Sequence, residues 1–276
     1  MIYRDARFAL LTQHAKERVL APILAERLGA SVEVVHGFDT DSLGTFTRDV
    51  PRLASQRETA LRKARLAIEL SGALHGLGSE GSFVPGPFGL GSWNVEVVAF
   101  VDRVRGISVV GKSHGPGLHV HGIARSLEEL RDIARRAGFP GHGLVLRPDG
   151  PDDPRVRKGL RAWDALEAGF AAALAESSAQ GVFVESDLRA HLHPSRMEMI
   201  AKAGADLADR LATACPACGL PGVGWVESLD GLPCAACGSP TGEARADVHA
   251  CVRCPFREER QRPGEADPSH CGYCNP

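Results

Sequence analysis

The sequence predicts an α/β protein: a mixed, largely parallel sheet flanked by helices over residues 1–213, then a small cysteine-rich module over residues 214–276. Three observations carry this. Short apolar runs of strand length alternate with longer segments of helical period, the pattern of a sheet with helices against it. Two helix starts pair a serine with a glutamate three residues later, Ser126 with Glu129 and Ser195 with Glu198, as in a capping box. All eight cysteines fall after residue 214.

Taken in order, residues 6–12 (ARFALLT) read as a buried strand. Ala15 to Leu28 places Val19, Leu20, Ile23, Leu24 and Leu28 on one helical stripe, with Pro22 inside it. Residues 31–36 form a second strand, followed by the polar loop FDTDSLGTFTRD. Arg57 to Leu70 is a helix whose apolar face is Ala60, Leu61, Ala64, Ala67 and Ile68, with Arg57, Arg62, Lys63, Arg65 and Glu69 mostly outside it. A strand ending at Ser79-Glu80 precedes a glycine- and proline-rich loop, GSFVPGPFGLGS. Residues 95–101 and 107–111 read as a hairpin, 126–137 as a helix and GLVLRP as a strand. A long helix is expected from Arg157 to Ser178, then the strand VFVES and a last helix from Ser195 to Ala212.

Composition narrows the classes. The chain is 43% hydrophobic, enough for a sizeable core, and its formal net charge of -2 gives no global pull toward nucleic acid or an anionic membrane. The N-terminus has no continuous apolar run, and no stretch approaches eighteen uninterrupted apolar residues, so a cytoplasmic protein without a membrane span is expected. No Gly-x-Ser-x-Gly elbow, Walker loop or dinucleotide fingerprint is present.

The cysteines form four Cys-x-x-Cys pairs: Cys215/Cys218, Cys234/Cys237, Cys251/Cys254 and Cys271/Cys274. Fifteen residues separate the first two pairs and sixteen the last two, spacings that fit a zinc ribbon with four thiolates around a closed tetrahedral site. One or two structural zinc ions are expected, with sequential and interleaved pairings both open. Gly219 and Gly238 directly follow their pairs, where a knuckle turn uses a positive φ. From Cys215 onward there are five arginines, no lysine and eight acids, which disfavours a nucleic-acid ribbon.

Chemistry is expected at the carboxyl ends of the strands. If the first three strands are parallel, that edge receives Thr12 to Lys16, Phe38 to Asp41 and Ser79 to Ser82, bringing Lys16, Asp39, Asp41 and Glu80 together, with Asp102 joining from the fourth strand. Carboxylates with a lysine suit Mg²⁺ and a polyphosphate. Thr12, His14, Ser79 and Ser82 are substrate-binding candidates on the same segments. Arg189 and Arg196, near Asp187, flank the last strand and helix and offer an anion clamp. His114, His119, His121 and His142 lack a carboxylate at ligand spacing and read as satisfied polar residues.

The phrases TQHAKERVLAPIL, FDTDSLGTFTRD, SEGSF, FPGHGLVLRP, SDLRAHLHPSRM, CPACGLPGVG, GLPCAACG and CGYCNP together resemble one bacterial family of uncharacterised proteins, a domain of unknown function with a zinc-ribbon ending. Where that family tends to read SEGSFGPHP, Val84 and Gly86 stand here in place of glycine and histidine. RETALRKARLAIELSGALHGLGSEGSF is also similar to inosine triphosphate pyrophosphatase-like enzymes, whose T-x-N-x-x-K turn is here the one-residue-shorter Thr12–Lys16 with His14 for asparagine. That likeness implies Lys16 on phosphate, Glu80 and Asp102 on Mg²⁺, and a metal-activated water releasing pyrophosphate. The expected function is a Mg²⁺-dependent phosphohydrolase or pyrophosphatase acting on a nucleotide or related phosphorylated small molecule. The alternative is a zinc-ribbon protein- or nucleic-acid-interaction protein on a non-catalytic scaffold.

Overall fold

The computed structural model describes residues 2–40 and 54–276, so Asp41 lies outside the described residues. These form two compact units, Tyr3–Leu207 and Ala208–Pro276.

The first unit opens with β1 (Arg7–Leu11), α1 (Glu17–Leu28), β2 (Ser31–Val35), α2 (Gln56–Ser71), β3 (His75–Pro85), β4 (Ser92–Asp102) and β5 (Ile107–Gly117). It continues through β6 (His121–Ala124), α3 (Leu127–Arg136), β7 (Leu144–Arg147), β8 (Arg157–Leu160), α4 (Trp163–Glu176) and β9 (Val182–Ser186) into α5 (Pro194–Ala212). One sheet has the order β2-β1-β3-β4-β5 and a second the order β6-β9-β7-β8.

The expectation of a largely parallel sheet is corrected. β1 runs parallel to β2 and β3, as the strand-end argument requires. The β3–β4 and β4–β5 pairings are antiparallel, as are all those of the second sheet. The reason lies in GSFVPGPFGLGS. Residues 81–85 continue β3, and only a short turn through Pro87–Gly89 separates them from β4. A connection that short joins antiparallel neighbours, because a parallel crossover needs a dozen residues or more.

Two helix boundaries also move. Residues 157–160 form β8, with Gly159 at φ 75°, and the helix begins at Trp163. Helix α5 starts at Pro194, so Ser195 lies inside it; the Nδ1 of His193 accepts the Arg196 N–H at 3.3 Å instead. At α3 the expected serine cap is present, with the Ser126 hydroxyl accepting the Glu129 N–H at 3.2 Å.

Alternation along β4 divides its side chains between the two faces of the sheet. Val97, Ala99 and Val101 pack with Ala60, Leu61, Ala64 and Ile68 of α2, while Glu96, Val98 and Phe100 point to the other face. Gly76 and Gly78 let α2 approach: a Cβ at either would lie 2.0 Å from the Ala64 carbonyl oxygen or 2.1 Å from that of Ala60. Against the second sheet pack α3 and α4 through Leu130, Ile133, Leu166 and Phe170.

Pairing of β1 with β3 stops at Leu10–Leu77, although β3 continues to Pro85. Beyond Leu77 the edge of β3 has no β1 partner, and it is there that the 12–16 turn meets it. The second unit holds the antiparallel sheet β10 (Gly224–Asp230), β11 (Ala244–Ala250) and β12 (Arg257–Gln261) and the four cysteine knuckles. No helix among the described residues is long and apolar enough to cross a membrane.

Candidate functional site

The turn after β1 carries backbone strain, because Ala15 has φ 55°, a left-handed value that costs a residue with a Cβ about 1–2 kcal/mol. It delivers the side chain of Lys16 to β3. Lys16 is buried, and its Nζ donates to the Ser79 carbonyl at 3.0 Å and the Ser79 hydroxyl at 3.2 Å. Thr12 is buried beside it, its hydroxyl accepting the His14 N–H at 3.2 Å. The loop after β2 is tied to the same turn, with Thr40 Oγ1 donating to Gln13 Oε1 at 2.9 Å; Asp39 in that loop is exposed.

Four buried ionised side chains surround Lys16. On the α2 face, Lys63 Nζ lies 2.6 Å from Glu80 Oε2. On the other face, Arg196 forks onto Glu96, with Nε–Oε1 at 2.7 Å and Nη2–Oε2 at 3.2 Å, and also donates to the Leu188 carbonyl. Glu96 and Arg196 are almost wholly removed from solvent. Gly81 makes room for this fork: a Cβ there would sit 2.3 Å from Arg196 Nη2. Gln56 fastens the strands, its Nε2 donating to the Glu80 and Val95 carbonyls at 2.9 and 2.7 Å, while Ser82 donates to its Oε1 at 3.1 Å.

This setting pushes the ammonium pKa of Lys16 down to about 7. Burial is the main cause. The charges of Lys63 and Arg196 add to it, and Glu80 and Glu96 oppose them. Among the described members of the cluster, three cations meet two carboxylates, so deprotonating Lys16 relieves the excess.

Two imidazoles border the same turn. His14 stacks on His191 with ring centroids 5.1 Å apart and planes 21° apart. His191 is held below the ordinary histidine range, first by burial and then by His14 and Arg189. Nearby, Asp187 is fully buried and accepts from Arg189 at 3.0 and 2.7 Å and from the Gly159 N–H at 3.0 Å. That arrangement occupies Arg189 with Asp187 rather than pairing it with Arg196.

The structure thus brings Lys16, Ser79, Glu80 and Arg196 into one cluster, with Thr12, His14, Ser82 and Asp39 on the segments beside it. It does not bring Asp102 there. His75 pairs with Asp102 and Glu80 with Val97, so five residues of strand, about 17 Å, separate the two carboxylates. Asp102 instead accepts from Tyr3 Oη, Arg105 Nη1 and the Val104 and Arg105 N–H groups. With Mg²⁺–oxygen bonds of about 2.1 Å, Glu80 and Asp102 cannot share an ion. The expected pairing of Glu80 with Asp102 on one Mg²⁺ does not fit, and among the described residues the groups placed to hold a metal are cysteines.

Sequence reasoning missed Lys63, Glu96, Gln56 and His191. Two of them left a trace: Lys63 interrupts the Ala60–Ala64–Ala67 stripe, and Glu96 is a lone charge within VEVV.

In the tail, Cys215, Cys218, Cys251 and Cys254 form one group and Cys234, Cys237, Cys271 and Cys274 another. The pairing is interleaved: knuckle one joins three, and two joins four. Sγ–Sγ separations of 3.6 and 3.7 Å in the first group, and 3.9 and 3.7 Å in the second, match the edge of about 3.8 Å expected for a tetrahedron of 2.3 Å zinc–sulfur bonds. Gly219 and Gly238 have φ of 73° and 72° and donate to the Cys215 and Cys234 carbonyls, the knuckle turn their positions predict. Both groups could bind zinc.

No curated protein and no solved structure matches the chain. A family model, Domain of unknown function (DUF6671), matches residues 63–276. The match spans Lys63, Glu80, Glu96, His191, Arg196 and all eight cysteines, and stops short of the Thr12–Lys16 turn. The chain therefore belongs to the DUF6671 family.

Proposed function

We propose that the Tyr3–Leu207 unit is a hydrolase of a phosphorylated small molecule, a nucleotide or related compound, and that the cysteine-rich unit is a structural zinc module. One observation carries this reading: Lys16, Lys63 and Arg196 are gathered with Glu80 and Glu96 in a buried cluster where β3 outruns β1. Among the described residues these cations outnumber the carboxylates, and excess positive charge in such a place is unfavourable. Deprotonation of Lys16 relieves it in the free protein, and a phosphoryl group would relieve it in the complex. Lys16 then holds the phosphoryl oxygens, while Lys63 and Arg196 fix the carboxylates and keep the field positive. The likeness of the early segments to inosine triphosphate pyrophosphatase-like enzymes adds support.

The test is phosphate and pyrophosphate release from a panel of nucleoside mono-, di- and triphosphates and sugar phosphates. One class should be hydrolysed, with the rate lowered by at least about a hundredfold in Lys16→Met and retained in Asp102→Asn. Release undiminished by Lys16→Met would overturn the reading.

A second reading, a protein-docking tail, is favoured by exposed apolar side chains on the cysteine-rich unit: Trp225, Val226, Val252 and Tyr273. Its acidic balance disfavours nucleic acid as the partner.

A further inference from the structure

Ser195 and His142 form a hydroxyl–imidazole pair that the reading above does not use. Ser195 Oγ lies 2.9 Å from His142 Nε2, although the two residues are 53 positions apart. Both residues are half-buried, so a solute can reach them. Local structure does not need this contact. The first turn of α5 is capped by His193, whose Nδ1 accepts the Arg196 N–H at 3.3 Å. The loop carrying His142 is strapped to the segment before α5 by backbone bonds of 2.8 Å, from the Gly143 N–H to the Leu192 carbonyl and from the Asp187 N–H to the Gly143 carbonyl. Those bonds hold imidazole and hydroxyl in fixed relation.

The imidazole is positioned from two sides. Gly138, at φ 73°, lets the backbone come close to the ring: a Cβ there would sit 2.8 Å from His142 Nδ1. His193 meets the same ring edge to face, with centroids 4.6 Å apart and planes at 82°. His193 is itself fixed. Its Nδ1 accepts from Arg196, so its Nε2 donates to the Leu118 carbonyl at 2.8 Å. Burial, the main cause, holds its pKa down at about 4, so it stays neutral beside a His142 that takes up a proton.

We propose that Ser195 is a nucleophile with His142 as its general base, a second reactive centre that takes a small carboxylic ester. A serine hydroxyl becomes a competent nucleophile when a base within hydrogen-bond reach removes its proton. With its own proton on Nδ1, His142 is that base. Ser195 Oγ bonds to the ester carbonyl carbon, the carbonyl electron pair moves onto oxygen, and the hydroxyl proton passes to Nε2. When the carbonyl re-forms, the bond to the alcohol oxygen breaks and that oxygen takes the proton. Water, deprotonated by the same nitrogen, then frees the acid and restores Ser195. The first turn of the 19-residue α5 presents the positive end of the helix dipole to the negative charge that develops. Among the described residues no cation is hydrogen-bonded to Ser195 or His142, which suits a neutral ester better than a phosphoryl group.

The test treats the full, zinc-loaded chain with a fluorophosphonate, which bonds its phosphorus to a serine oxygen and expels fluoride. The adduct is mapped by peptide mass spectrometry. Ser195 should carry the label, reacting at least about a hundredfold faster than the same serine in the urea-unfolded chain. p-Nitrophenyl acetate should be hydrolysed, and Ser195→Ala should abolish this. His142→Gln can still hydrogen-bond the hydroxyl but cannot take its proton, so it should slow labelling about a hundredfold without moving the urea midpoint. If that variant does not fold, the ratio between the folded and unfolded wild-type chain decides. Labelling undiminished by His142→Gln, a label on another residue instead, or a Ser195 no faster than in the unfolded chain would overturn the proposal. Labelling without ester hydrolysis, or hydrolysis that survives Ser195→Ala, would overturn the assignment of an ester substrate.

Discussion

Replacing Glu96 by glutamine isolates the electrostatic part of the buried fork. The side chain keeps its volume, and its amide oxygen can still accept one N–H from Arg196, but the countercharge is lost. Glu96 and Arg196 meet through contacts of 2.7 and 3.2 Å with almost no solvent access. Unit charges about 4 Å apart interact by about 4 kcal/mol at an effective dielectric of 20, and removing one partner of a buried pair typically destabilises by about 3–5 kcal/mol. Glu96→Gln should therefore lower the stability of the first unit by about 3 kcal/mol or more. It should also push the Lys16 pKa lower, because Glu96 is one of the two carboxylates opposing its depression. The assay is urea unfolding of the zinc-loaded chain, with hydrogen exchange of the β4 amides to localise the loss. The double variant Glu96→Leu/Arg196→Met, which removes both charges, should recover most of the deficit. A loss under about 1 kcal/mol, the size of an exposed pair, would refute the reasoning, as would a double variant no better than the sum of the singles.

Lys16 gives a pH signature. Its folded pKa is about 7 against an ordinary 10.5, so between these values the unfolded chain binds the extra proton and stability rises with pH; the penalty is fully present below 7. The slope should approach about 1.4 kcal/mol per pH unit near pH 8–9 and flatten in Lys16→Met, read from urea midpoints. For the tail, Cys218→Ser combined with Cys251→Ser should leave one zinc per chain by native mass spectrometry, since interleaving puts both in one group; sequential pairing would leave none. Asp102→Asn should destabilise the first unit, through Tyr3 and Arg105, while pyrophosphate affinity stays unchanged. The Asp102 carboxyl is held below its ordinary range, so its contribution is present above about pH 4 and is lost as pH falls through the lowered value. Acid titration of the unfolding midpoint checks this against Asp102→Asn.

Local pattern carried β1, β2, α2, α3 and β9 because each is an element with its own period or cap. It failed where tertiary context decides. The glycine- and proline-rich residues after Glu80 have turn composition, yet residues 81–85 extend β3, since β4 pairs along its full length and Gly81 must clear Arg196. Residues 157–160 have helical company but are drawn into the second sheet beside β7. At the site, Lys16, Ser79 and Glu80 could be foreseen from the parallel start of the sheet. Glu96 and Lys63 could not be linked to them, because their partners lie on other elements and only pairing register brings them together. Asp102 misled for the converse reason: an aspartate at a strand end was legible, but the antiparallel direction of β4 was not. Once β4 reverses, its C-terminal end is the far end of the sheet.

The interleaved cysteines bear on how this tail can be inherited or cut. Were the knuckles paired in sequence, residues 215–237 and 251–274 would be two independent clasps, and either could be deleted or duplicated alone. As they stand, a fragment ending anywhere before Cys274 leaves at least one group short of thiolates, and one ending before Cys251 leaves both short. The tail is thus an indivisible unit. A frameshift or proteolytic nick near its end breaks a four-cysteine group whose other members lie some forty positions upstream.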